Sequence, residues 1–189
     1  MTELAWETLA TPVGPLSVAC SAAGLARVRF GAPRAAPAGR PRQAGAAAPD
    51  PAAGLAAEAK GQLAGYFAGQ RREFSLPVDW SAVTGTRRRV LSALFDAVGF
   101  GETITYGSLA ETAGVAGGDR VPPARVVGQI MGSNPYSVIV PCHRVVAGTG
   151  LGGYSGGTGI EIKRWLLIFE GSVPATLDWD PAGMLSSPA

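Results

Sequence analysis

The chain has 189 residues, 47% of them hydrophobic, and a formal net charge of only +2. That length suits one or two small domains with a real core, and so small a charge leaves nucleic-acid contact to local patches such as Arg87-Arg88-Arg89. Two cysteines and a single histidine cannot by themselves build a Cys/His zinc site, so no metal is expected.

No apolar run is long enough for a membrane span or a signal-peptide core. Free thiols in a reducing cytoplasm are therefore expected. Residues 4–30 read as short strands and turns. Thr11-Pro12-Val13-Gly14-Pro15 marks one turn and Ser21-Ala22-Ala23-Gly24 another, and 25–30 alternates apolar and polar residues as a half-buried hairpin partner does. Cys20 ends a strand with no titrating neighbour in sequence, which predicts a structural thiol. Residues 31–54 are rich in Ala, Pro, Gly and Arg without periodicity, and read as a flexible loop inside the first domain. Leu55, Leu63, Tyr66 and Phe67 predict a helix closed by Gly69. Residues 74–80 read as a strand leading to a linker.

The second half changes character. Val90, Leu91, Leu94, Phe95 and Val98 stand at helical spacing after Thr86, read as an N-cap, with Gly99 as the stop. Helices at 105–114 and 123–131, joined by a Gly/Pro-rich loop, follow the grammar of a helix-turn-helix, although helical hairpins that touch no DNA are commoner. The glycine-rich stretch 148–157 lets backbone approach a ligand closely. It lacks the Gly-Lys-Ser/Thr ending of a phosphate loop. Residues 160–170 predict a final amphipathic helix with Trp165, Leu166 and Phe169 toward a core, and a weakly structured tail follows.

The chemistry concentrates in Val138-Ile139-Val140-Pro141-Cys142-His143-Arg144-Val145-Val146, where a strand-like apolar run meets a proline, a thiol and the chain's only imidazole. A thiol is a strong nucleophile only as the thiolate, so a neighbouring base matters. The plain alternative is a small buried cysteine beside a hydrogen-bonded core histidine. Geometry adds a condition: neighbours on a regular strand point to opposite faces, so the two cooperate only across a turn or through water.

Taken together, these stretches resemble the O6-alkylguanine-DNA alkyltransferase family. The resemblance rests on Gly101-Glu102-Thr103 with Tyr106, Ala124-Arg125-Val126-Val127-Gly128, Asn134-Pro135, Val140-Pro141-Cys142-His143-Arg144-Val145, Gly153-Tyr154-Ser155-Gly156-Gly157, and Lys163 with Trp165-Leu166-Leu167 and Glu170. It is close from about residue 84 to 171 and looser before. It implies an α/β N-terminal domain at 1–80 (a small sheet plus helix, ribonuclease H-like). A mainly helical, winged-helix-like C-terminal domain at 81–171 would carry the helix-turn-helix, with a tail at 172–189.

The resemblance further implies DNA repair by a single, stoichiometric transfer of an alkyl group from O6-alkylguanine, and from O4-alkylthymine, in duplex DNA. Cys142 matches the acceptor, and His143, oriented by Glu170, would draw its proton through a water. Tyr106 would protonate the leaving base, and Asn134 would be a hinge. Arg125 matches the arginine that fills the gap left by a flipped base, with Tyr106, Gly107 and Arg87 as further DNA contacts through the minor groove. Val145, Tyr154, Ser155 and Lys163 would line the pocket. No cofactor is required, and a cytoplasmic monomer acting on double-stranded DNA is expected. The alternative function is a non-catalytic sensor of alkylated bases, which Cys142 argues against. Departures from the family pattern are Thr86-Arg87-Arg88-Arg89, the long loop at 115–123, and Ser137 where some members carry proline.

Overall fold

The computed structural model describes residues 3–31, 50–117, 121–154, 156 and 159–175. Most of the loop foreseen at 31–54, residues 118–120 of the loop at 115–123, Ser155, and the tail from 176 lie outside these. The chain divides into two compact units, 1–82 and 83–189.

In the first unit, β1 (Ala5–Leu9), β2 (Leu16–Ser21) and β3 (Gly24–Phe30) form an antiparallel sheet in the order β1-β2-β3. Every residue of the central strand β2 is buried, and Cys20 within it has its thiol pushed up to about 11, first by burial and then by Glu58. That environment makes an inert thiol. Helix α1 (Pro51–Phe67) packs on the sheet. It starts earlier than the apolar spacing predicted: Asp50 caps it by accepting from the Ala52 N–H at 3.0 Å, and Pro51 enters the first turn. Residues 51–54 are therefore helix rather than loop. The stretch 74–80 is not a regular strand. It makes one parallel bridge, with the Leu25 N–H donating to the Pro77 carbonyl and the Asp79 N–H to the Leu25 carbonyl, both at 2.8 Å. Pro77 has no N–H with which to continue the ladder. Gly24 permits this approach, since a Cβ there would lie 2.3 Å from the Pro77 carbonyl oxygen.

The second unit is built on α2 (Gly85–Ala97), α3 (Tyr106–Thr112), α4 (Pro123–Gly132) and α5 (Ile160–Phe169). Thr84, not Thr86, is the residue that precedes α2. Helices α3 and α4 pack on each other as a helix-turn-helix. A short parallel ladder joins β4 (Ile104–Thr105) to β5 (Val145–Val146), pairing Ile104 with Val145 and Thr105 with Val146. Few residues are involved, but they set the site: β4 runs directly into Tyr106, and β5 leaves a 3-10 turn at Cys142–Arg144. On α5 the buried face is Ile162, Lys163, Leu166 and Leu167. Trp165 and Phe169, expected in the core, are only half-buried and stack on each other with ring centroids 5.0 Å apart. No helix among the described residues is long and apolar enough to cross a membrane.

Candidate active site

The segment 137–140 reads as strand by composition but is turn. Asn134 is the reason. Its side-chain oxygen accepts the Tyr136 N–H at 3.0 Å, and its amide nitrogen donates to the Val140 carbonyl at 2.8 Å. Bracketed in this way, the chain folds back on itself, and buried Val138 is held at φ 72°, in the left-handed region a β-branched residue rarely enters. Pro141 then caps the 3-10 turn that carries Cys142, His143 and Arg144. In such a turn successive side chains fan around the axis instead of alternating between faces, which removes the objection to adjacent Cys and His cooperating.

All three side chains are buried. Burial pushes the Cys142 thiol up, while the neighbouring Asn134 and Tyr154 side chains and the Lys163 charge pull it back only in part. At neutral pH the group is a thiol awaiting a base. His143 Nε2 lies 3.0 Å from Glu170 Oε1, and its Nδ1 has no hydrogen-bond partner among the described residues. Burial pushes His143 down, against the opposing pull of Glu170, so the ring is neutral at pH 7.

Glu170 stands seven residues, two helical turns, beyond Lys163, so one face of α5 and its end supply both groups. Burial would raise the Glu170 carboxyl, but the hydrogen bonds of His143 and Arg144 and the Arg144 charge win and hold it well below its usual range. Lys163 is wholly buried and donates to the Val145 carbonyl at 2.6 Å and the Gly153 carbonyl at 3.2 Å. Desolvation brings it down to about 8, leaving it mostly charged at pH 7.

Cys142 opens onto a cavity of about 430 Å³ lined also by Tyr106, Ala124, Gly128, Met131, Gly132, Gly153 and Tyr154. Four of these belong to α4, at spacings that put them on one helix face. Tyr106 donates to the Gly153 carbonyl at 3.2 Å, and burial raises its phenol, so it stays protonated as a donor.

Comparison with known proteins identifies this architecture. Residues 4–80 match the family model described as the ribonuclease-like domain of 6-O-methylguanine DNA methyltransferase, and residues 85–172 match its DNA-binding domain. A methylated-DNA–protein-cysteine methyltransferase of Mycobacterium tuberculosis is 38% identical over 174 residues, covering 91% of this chain and 96% of the relative. The chain belongs to this methyltransferase family. Its namesake in Methanosarcina acetivorans is 34% identical over 165 residues, covering 86% of this chain and 95% of that protein. A crystal structure of Mycobacterium tuberculosis OGT in complex with DNA superimposes with a TM-score of 0.68 at 38% identity, covering 88% of this chain and 93% of the other.

Of the residues singled out in the sequence as this family's site, Cys142, Tyr106 and Tyr154 meet at the cavity, with His143 and Glu170 bonded behind the thiol turn. Asn134 braces that turn. Val145 is buried, its carbonyl occupied by Lys163, and neither residue is part of the cavity lining. Arg125 is exposed on α4, and Gly107 lies in the first turn of α3. Arg87, expected to contact DNA, donates to the Ser133 carbonyl at the end of α4. The last carbonyls of a helix lack internal partners and carry the negative end of its dipole, which draws a cation there.

Sequence reasoning passed over Arg144 and the cavity residues of α4. Arg144 was visible in the motif itself; the α4 face was visible as a small-residue pattern with no chemistry attached. It also passed over the reason for Gly152. A Cβ at Gly152 would lie 2.9 Å from Tyr106 Cε2 and 3.2 Å from its hydroxyl, at a φ of +70°. Gly152→Ala is expected to push the Tyr106 ring out of place and lower single-turnover transfer about 10- to 100-fold. The positive φ adds a strain of about 1–2 kcal/mol, so the melting temperature should fall by only several degrees. An unchanged rate would mean that the Tyr106 position is not set by this contact.

Depressed His143 and Glu170 also fix an acid response. Folded His143 and Glu170 bind fewer protons than their unfolded counterparts at 6.5 and 4.5. Stability should therefore fall as pH drops below 6.5, and fall more steeply below 4.5. Thermal melts from pH 7.5 to 4 check this, and a midpoint that does not move between pH 7 and 5 contradicts the buried neutral histidine.

Proposed function

We propose that this protein repairs DNA by moving the alkyl group of O6-alkylguanine, and of O4-alkylthymine, irreversibly onto Cys142. The observation that carries the reading is the junction of a buried thiol, a neutral His143 bonded to Glu170, and a cavity roomy enough for a base. An alkyl group on guanine O6 is out of reach while the base is stacked, so the nucleotide must be flipped into that cavity. Arg125, exposed on α4, fills the vacated place from the minor-groove side, where a planar cation suits the gap. Gly107 allows close approach of the α3 backbone to the duplex.

The step balances as follows. His143 Nδ1 takes the Cys142 proton through a water. The thiolate sulfur bonds to the alkyl carbon as the carbon–O6 bond breaks, and its electron pair passes to the guanine. Tyr106 gives its own proton to the leaving base and regains one from solvent as His143 releases the Cys142 proton to solvent, and Asn134 and Tyr154 steady the sulfur. Lys163 adds a positive charge behind the thiolate. The products are unmodified guanine and an S-alkyl cysteine. A thioether sulfur is a poor leaving group, so each molecule acts once and needs no cofactor.

Intact mass after incubation with a duplex carrying one O6-methylguanine tests this, with Cys142→Ala as control. One methyl's gain, mapped to Cys142 and stopping at one equivalent, is the expected result. Binding of the duplex with no mass gain would favour a sensor of alkylated bases instead.

A further inference from the structure

Glu170 carries more than the histidine. Its Oε1 receives His143 Nε2 at 3.0 Å and Arg144 Nη2 at 2.9 Å, and its Oε2 receives Arg144 Nε at 2.9 Å and the Gly101 N–H at 3.5 Å. The remaining Arg144 nitrogen, Nη1, donates to the Val98 carbonyl at 2.7 Å. The guanidinium is thus held from three sides, with its fork on the carboxylate, in a place where Arg144 is 5% and Glu170 6% exposed.

A planar fork on a carboxylate is the strongest of the common ion-pair geometries, and arginine does not give up its proton. The buried negative charge is therefore already matched by a permanent positive one. A second positive charge on His143 would have no counter-charge, and Lys163, the other charged group facing the ring, would repel it as well. Without the guanidinium the balance reverses, because the buried Glu170 carboxylate would draw a proton onto His143, the titratable side chain bonded to it. An imidazolium cannot accept a proton from the thiol.

We propose that Arg144 is a positioning residue that neutralises Glu170, and so keeps His143 an uncharged imidazole protonated on Nε2 with its Nδ1 lone pair free for the Cys142 proton. The proposal rests on the repair reading above and adds the device that sets the charge of the base. The charged groups that bear on the ring are Lys163 from α5, Glu170 at the C-terminal cap of that helix, and Arg144 from its own turn.

His143 is the only histidine in the chain, so one imidazole spectrum reports it without assignment. In the full chain labelled with 15N-histidine, long-range proton–nitrogen correlations at pH 7 should show a protonated Nε2 and an unprotonated Nδ1, with a titration midpoint below 6.5. In Arg144→Gln the midpoint should rise by at least about one pH unit, and transfer at pH 6 should fall about tenfold more than transfer at pH 8. Arg144→Lys, which keeps the charge but not the fork, should hold the midpoint near wild type.

A wild-type ring that is doubly protonated at pH 7, or protonated on Nδ1, overturns the proposal, and so does a folded Arg144→Gln with an unmoved midpoint. Should Arg144→Gln not fold, the wild-type spectrum and Arg144→Lys still decide. Failure of the repair reading looks different: the ring shows the expected state, but no methyl reaches Cys142.

Discussion

Glu170→Ala should be the most damaging single change in the C-terminal unit, lowering stability by about 3–5 kcal/mol, as breaking one side of a buried ion pair does. The alanine leaves Arg144 Nε and Nη2 and His143 Nε2 facing a void, in positions where water does not reach them. For a chain of this size that corresponds to a drop of roughly 10 °C in melting temperature. Methyl transfer should fall by at least about 100-fold in the protein that remains folded, because a general base that is no longer oriented loses most of its effect. Glu170→Gln separates the two roles. It keeps the volume and one acceptor, so part of the stability returns. It is neutral, so it cannot balance Arg144, and the rate should stay low. Thermal melts paired with single-turnover transfer at 25 °C measure both. A Glu170→Ala protein within about 1 kcal/mol of wild type would show that the clamp does not hold the turn together.

Much of this was readable from residue order alone, for physical reasons. The alternation at 25–30 and the turn residues around 11–15 and 21–24 predict a small antiparallel sheet, because side chains on a strand have a strict period of two. The apolar spacing of α2, α4 and α5 likewise marks helices with one buried face. What composition could not reveal was where tertiary hydrogen bonds override local preference. Residues 137–140 are rich in β-branched side chains and favour strand by propensity, yet the single side chain of Asn134 turns them. The face of α5 was misjudged for a related reason: Trp165 and Phe169 are the larger apolar groups, but Lys163 is the residue wholly buried, since carbonyls at Val145 and Gly153 satisfy its ammonium. The start of α1 was legible in Asp50-Pro51 and was masked by the Ala/Pro-rich run before it. At the site itself, the thiol, the imidazole and the carboxylate stood out as rare or motif-borne residues. The small residues of α4 that shape the cavity carry no chemistry of their own, and only the fold brings them to Cys142.

Asn134→Ala is expected to lower transfer about 100-fold, with a loss of about 2–3 kcal/mol in stability. The amide serves the Tyr136 N–H, the Val140 carbonyl and the Cys142 sulfur, and leaving buried backbone groups without partners costs about 1–3 kcal/mol each before any relaxation. The rate effect follows from strain. Val138 holds its positive φ only while the turn is bracketed at both ends. Once the bracket is removed, Val138 can relax toward extended backbone, and Pro141 and Cys142 move with it. A displacement of the sulfur by about 1 Å is enough for a hundredfold loss. Asn134→Asp is the sharper comparison. It keeps the acceptor for the Tyr136 N–H but sets a carboxylate against the Val140 carbonyl and close to the thiol, where a negative charge disfavours the thiolate. Its rate should therefore fall below that of the alanine variant, and the gap should narrow as the pH is lowered and the new carboxyl becomes protonated. Equal rates for the two variants across pH 5 to 8 would mean that Asn134 acts only as a mechanical tie and contributes nothing to the electrostatics of Cys142.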